Sequence, residues 1–435
     1  MDLCSEKLKN KSGVAMIITL FVLSILLLFV TTFISMSVNN KTISDIFNRR
    51  TKAFYLSEAG LDHAIFWLRS QSSPPIGDRT DPWGGMQNLY GGHYTVFIDD
   101  LGMVGGTGSA IRRYLITSTG TYQGLSRIMS SYIQVDNFAR YLWFTERETF
   151  NNIPVWFGMN DSLNGPTHTN AHFHIYNDPV FGGETSSVDD YIRFYNNGNN
   201  TNLSQTSNPP YDEPDFQEGM TFSAVAGVMP SKALGLRSAA SAGGFFLSGN
   251  TTITLQNDGN MRVTNTAKNW NNRSMAVPAG GALFVNNGTL TISGTLNGRL
   301  TVGSSHGVVV PSNIVYADNP RTNPNSNDVL GIISEKDIMI SQTAPHNIEI
   351  NACLMSLDTS FLVQNWSSIA AKGTLTVYGG IIQDERGPVG TFNGQTGQKL
   401  SGYTKNYSHD PRLISSPPPY MPSTGDYIIL SWKEN

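Results

Sequence analysis

The chain has little cysteine: Cys4 and Cys353 are the two in 435 residues, and they supply no disulfide framework. Cys353, in NIEINACLMSL, reads as a small buried hydrophobe. Charge is also scarce, at 14% of residues with a formal net charge of −4, so no broad basic field exists to attract nucleic acid. No Ser-His-Asp order, phosphate-binding loop or H-E-x-x-H pattern occurs, so the sequence shows no catalytic site and implies no cofactor. No A-x-A cleavage pattern follows the apolar N-terminal run, which argues against ordinary secretion.

What is present begins with Val14–Val38, 25 residues without a charge. That exceeds the roughly 20 residues a helix needs to cross a bilayer. Lys7, Lys9 and Lys11 precede it and favour a cytoplasmic N-terminus, with residues 39–435 exported. Gly13 stands alone between the basic leader and the apolar run. Beyond the span, RRTKAFYLSEAGLDHAIFWLRS places Phe54, Leu61, Ile65 and Leu68 at helical spacing, predicting one long helix over 14–70. Glu58 falls inside that stripe, close to Gly60. A carboxylate there is either satisfied locally or kept for a contact between subunits.

The rest is β in style, with 42 glycines and abundant Asn, Ser and Thr. Over 71–137, GHYTVFIDDL, IRRYLITSTGTY and LSRIMSSYIQV predict a small antiparallel meander, with Met129, Ile133 and Val135 on one face. Residues 138–435 form a large β domain. Around 222–385 short runs recur between Gly and Asn turns, as in GGALFVNNGTLTISGTLNGRLTVGSSHGVVV. They predict a degenerate parallel β-helix, with a β-sandwich as the alternative. Alternation puts Leu290, Ile292, Leu300 and Val302 inward and Thr291 and Thr301 outward.

Two polar clusters carry candidate chemistry. His168, His172 and His174, with Asp161 and Asp178 nearby, have a spacing that can hold zinc, yet hydrogen-bonded structural histidines fit better and a metal-free cluster is expected. Asp384, Glu385 and Arg386 offer an acid and base set, against which stands a solvated turn.

Four stretches resemble one family. Lys-Ser-Gly before a long apolar helix resembles the class III leader of type IV pilins, and AFYLSEAGLDHA resembles the A-F-x-x-A-E-A-G-L-x-x-A signature of PilX-type pilus assembly proteins, with Ser57 in place of an alanine. SLNGPTHTNAHFHIYNDPVFGG and GYTKNYSHDPRLISSPPPYMP are similar to the G-P-x-H-x-N and C-terminal motifs of large members. The resemblance implies a leader, residues 1–13, cut between Gly13 and Val14 by a prepilin peptidase. It implies a non-enzymatic minor subunit of a type IV pilus or related secretion filament, whose partners are the membrane, other pilins and the assembly machinery. Its course runs from the inner membrane to the filament or cell surface. Major pilins carry Glu as the fifth mature residue; here it is Ile18, which suits a subunit at the tip. Glu58 is the second assembly candidate. An adhesin on the same scaffold, using Tyr403, Tyr407 and Tyr420 towards a surface or glycan ligand, and a tethered glycan-cleaving β-helix enzyme are the alternatives.

Overall fold

The structure is a computed structural model that describes residues 6–434 except 72, 107, 110, 160, 394 and 395, with residues 6–12 described by backbone alone. Cys4 and the start of the leader lie outside the described residues. A single helix, α1, runs from Glu6 to Ser70. From Gly13 to about Arg50 its side chains are exposed, including the apolar series Val14, Ile18, Leu27 and Phe33. The window of highest hydropathy has none of its residues buried and is long and apolar enough to cross a membrane.

The last turns of α1 pack on a small antiparallel sheet of the long strands Gly92–Met103, Arg112–Tyr122 and Leu125–Asn137. Gln123 and Gly124, both at positive φ, close the two-residue turn between the second and third strands. Met129, Ile133 and Val135 face the helix side of this core as expected. The sheet has one further long strand, which comes from the other end of the chain. Ser423–Glu434 pairs antiparallel with Leu125–Asn137 and contributes Tyr427 to the core. The C-terminus therefore closes the head, and the large β domain stops short of it.

That domain is a three-sided parallel β-helix, and the pairings between its turns exclude the sandwich. One turn reads Arg299–Ser304, Val308–Val310 and Ile314–Tyr316, and the next begins at Val329–Ser334 directly beside the first. Leu290, Ile292, Leu300 and Val302 point into the bore. Thr291 is half-buried on the outside, but Thr301, equally directed outward, is fully buried because its hydroxyl donates to the Pro419 carbonyl of the returning C-terminal segment.

The solenoid extends beyond the expected 222–385 and is not stacked in chain order. A first run winds from Trp143–Arg147 through Thr167–Thr169 and Thr185–Ser187 to Met220–Thr221. The chain then travels outside to α2 (Leu234–Ala242) and starts a second run at Phe245–Ser248. That run winds back until Ala371–Glu385 lies parallel against Trp143–Arg147, and Tyr407–Ser408 against Leu163–Asn164. The two runs meet at a seam inside the stack. At the far end of the second run, the antiparallel strands Asn260–Asn265 and Trp270–Ala276 cover the edge, the outer one mostly exposed and polar.

The face carrying Arg299–Ser304 and Val329–Ser334 is buried on both sides. Its outward residues Phe144, Phe284, Ile333, Cys353, Met355 and Ile382 form a second core with Leu236 and Ala240 of α2, Leu413 and Met421. Fully burying each such side chain contributes about 1.5–3 kcal/mol. The D-P-R-L stretch explains the C-terminal docking. Asp410 caps the turn Pro411–Ile414, and Arg412 donates to the Ser326 carbonyl at 2.6 Å and the Asp328 carbonyl at 3.1 Å.

Candidate functional site

Gly13 sits on a bare helix surface, where an added methyl group would meet nothing within 4 Å. Val14 and Ile18 are 57% and 56% exposed. The contact face of α1 lower down is Ala53, Leu56, Ser57, Gly60, Leu61, Ala64, Ile65 and Leu68, so Phe54 lies at its margin. Half of these residues are small, because at them helix and sheet nearly touch. A Cβ on Gly60 would lie 2.1 Å from the Ser118 hydroxyl, and one on Gly120 2.2 Å from the Ala53 carbonyl. Ser57 fits because its hydroxyl donates back to the Phe54 carbonyl at 2.7 Å. Glu58 stands beside this face, half-buried, with no hydrogen-bond or ion-pair partner among the described residues.

The three histidines are not brought together. His168 is buried on the outer side of the covered face, stacked on Phe144, with Nδ1 2.8 Å from the Ser186 hydroxyl and Nε2 3.0 Å from Asn170 Oδ1. Asn170 in turn clamps the crossing segment, accepting from the Gly227 amide at 3.0 Å and donating to its carbonyl at 2.6 Å. His172 and His174 share a different side of the solenoid, their rings 4.8 Å apart. His172 pairs with Asp189 at 2.7 Å, and His174 Nδ1 lies 3.0 Å from the Glu148 carbonyl. Burial, reinforced by His172, lowers the His174 pKa to about 3; burial also lowers that of His168. Among the described residues no group of three or more His, Cys, Asp or Glu is placed to hold a metal ion.

Asp384 and Glu385 pair with Arg147 at 2.6 and 3.3 Å near the surface, but Arg386 corrects the reading of this triplet as a solvated turn. Its side chain is 1% exposed, inside the bore at the seam. The guanidinium lies 3.4 Å from the Phe157 ring centroid and donates to Glu148 at 3.2 Å, to the Val155 and Trp156 carbonyls at 3.1 and 3.3 Å, and to Asp161 at 3.5 Å. Asp161 also binds Lys405 at 2.7 Å. These two cations offset the desolvation of Asp161 and hold its pKa below the usual value, while burial depresses that of Lys405. Tyr403 and Tyr407, expected as surface contacts, are buried as well. Tyr403 donates to the Pro345 carbonyl at 2.6 Å, and Tyr407 stacks on Trp143. Tyr420 is half-buried at positive φ, its amide bound to the Gly108 carbonyl.

Above this charge cluster opens a cavity of about 570 Å³. Lys405, Asp161 and Arg386 line it together with Trp156, Tyr176 and Tyr195, so both runs contribute. Lys405 carried a legible signal, since alternation along Tyr403, Lys405 and Tyr407 puts it on the bore side. Nothing local tied Glu148 or Asp161 to this cluster, because Arg386 and Lys405 lie more than 200 positions away in the chain.

Residues 97–189, from the head into the first run, match a family described as Domain of unknown function (DUF4900). No curated protein matches the chain. Among solved structures, the crystal structure of competence-associated pilin ComZ from Thermus thermophilus is similar at 12% identity and a TM-score of 0.35, over 89% of this chain and 97% of that one.

Proposed function

We propose that the chain is a non-enzymatic, pilin-like subunit that is held in the membrane by the upper part of α1, enters a type IV pilus or related filament, and carries the solenoid outward. The observation that supports this most directly is the contrast within α1. One unbroken helix is apolar and bare from Val14 to Val38, yet packed along one face against a sheet from Ala53 to Leu68. A bare apolar helix needs lipid first, and within a filament it can pack against its neighbours' helices. The basic leader, Gly13 and the signature around Glu58 accord with cleavage by a prepilin peptidase and handling by pilus machinery. On this reading a carboxylate at position 18 would have to find a partner in hydrocarbon, and Ile18 removes that need, which suits a subunit that starts a filament at its tip.

Mass spectrometry of the native N-terminus tests the proposal: the mature chain should begin at Val14, and Gly13→Leu should leave the leader attached. A native protein beginning at Met1 would overturn it. The tip assignment is tested separately, by locating a labelled solenoid on isolated filaments. Labels spread along the shaft would refute it.

A further inference from the structure

We propose that the seam cavity is a binding site for an acidic saccharide, a pyranose unit bearing a carboxylate. The inference stands on the cavity alone and holds whether or not the chain enters a filament. The aromatic wall presents edges and faces at close quarters: Trp156 and Tyr195 lie 5.6 Å apart at 82°, and Tyr176 and Tyr195 4.7 Å apart at 77°. Such a wall suits the flat C–H face of a sugar ring, which is apolar on one side and polar at its edge.

The floor selects the charge. Both oxygens of Asp161 are committed, Oδ1 to Lys405 and Oδ2 to the Gly158 amide at 3.1 Å and to Arg386. Arg386 is committed to Glu148 and two carbonyls. Lys405 has three donors and gives one of them to Asp161, so the groups left to a ligand at the floor are donors on a cation. A ligand that completes this site brings acceptors, and a carboxylate brings the strongest ones. A volume of about 570 Å³ lies within the usual range for small-ligand pockets. Lys405 and Arg386 come from the second run, and Trp156, Tyr176 and Tyr195 from the first, so an occupant bridges the seam.

The test uses the full chain in lipid nanodiscs, free of glycoside detergents. Methyl β-D-glucuronide is titrated while tryptophan fluorescence and heat are followed, with methyl β-D-glucoside and N-acetylglycylglycine as comparators. Saturable binding of the glucuronide in the millimolar range or tighter is expected, with the glucoside at least ~10-fold weaker because it lacks the charge-assisted bond. Trp156→Ala should abolish binding, and Lys405→Gln should erase the difference between the two glycosides. If Lys405→Gln does not fold, as judged by its melting curve, Tyr195→Ala replaces it and should weaken the glucuronide by ~10-fold. No saturation by about 20 mM glucuronide, equal binding of glucoside, or undiminished binding by Trp156→Ala would each overturn the proposal. Tighter binding of N-acetylglycylglycine would also overturn it, by making the cavity a peptide-carboxylate site.

Discussion

Two distant stretches of chain are joined at each of two places in this molecule, and the joints are built differently. At the head, Ser423–Glu434 closes the sheet against Leu125–Asn137 with an outer edge that is largely exposed, and its ion pairs, Arg69–Asp426 and Arg127–Glu434, sit in water. At the seam, the second run closes on the first around buried charges, with Arg386 and Glu148 almost wholly out of solvent. A surface pair can be lost at little cost, whereas removing one partner of a buried pair strands the other. The head joint resembles a flap, and the seam is committed once made.

The seam should show the largest effect. Arg386→Ala leaves Glu148 and Asp161 without their shared cation and is expected to lower stability by about 3–5 kcal/mol, read as a fall in the urea midpoint. A loss under ~1 kcal/mol would mean that water already reaches the seam. Truncation after Pro422 comes next. It removes Tyr427 from the head core and exposes the edge of Leu125–Asn137, for an expected loss of about 2–3 kcal/mol confined to the head. Hydrogen exchange should rise along 125–137 and not along 299–304.

Acid separates the joints more finely. The pKa of His174 in the folded chain, about 3, lies below its ordinary value of 6.5, so between those limits the unfolded chain binds the extra proton. Its contribution is complete above about pH 6.5 and is lost as pH falls towards 3; at pH 5 it should be smaller by ~2 kcal/mol. His174→Gln should flatten that part of the stability profile. The smallest effect belongs to the head: Arg69→Ala should change stability by less than about 1 kcal/mol, less still in high salt.

Much of this architecture is legible in the sequence where a local period writes it. Leu290, Ile292, Leu300 and Val302 alternate because one side of their strands meets the bore. The covered face does not alternate, since Val329–Ser334 is buried throughout between bore and outer core, and such a run names no direction. Thr301 points outward as the alternation says, yet on this face outward still means buried. The first run leaves no such trace, because strands such as Val180–Phe181 and His174–Ile175 are two residues long, too short to show any period. No local pattern carries the stacking order or the closing strand, because both depend on pairings hundreds of residues apart. Arg386 shows the same limit: within QDERG it looks like surface, and only Glu148 and Asp161 make it core.

The displaced order of the solenoid also sets a timetable. On the proposed reading, a chain threaded across the membrane from its N-terminus delivers residues 143–221 long before residues 371–408, yet the stack places the latter directly against Trp143–Arg147 and Leu163–Asn164. Throughout that interval the first turns present an open strand edge of the kind that invites pairing with another chain. A protein arranged this way has reason to remain tethered singly, or escorted, until residues 371–408 emerge.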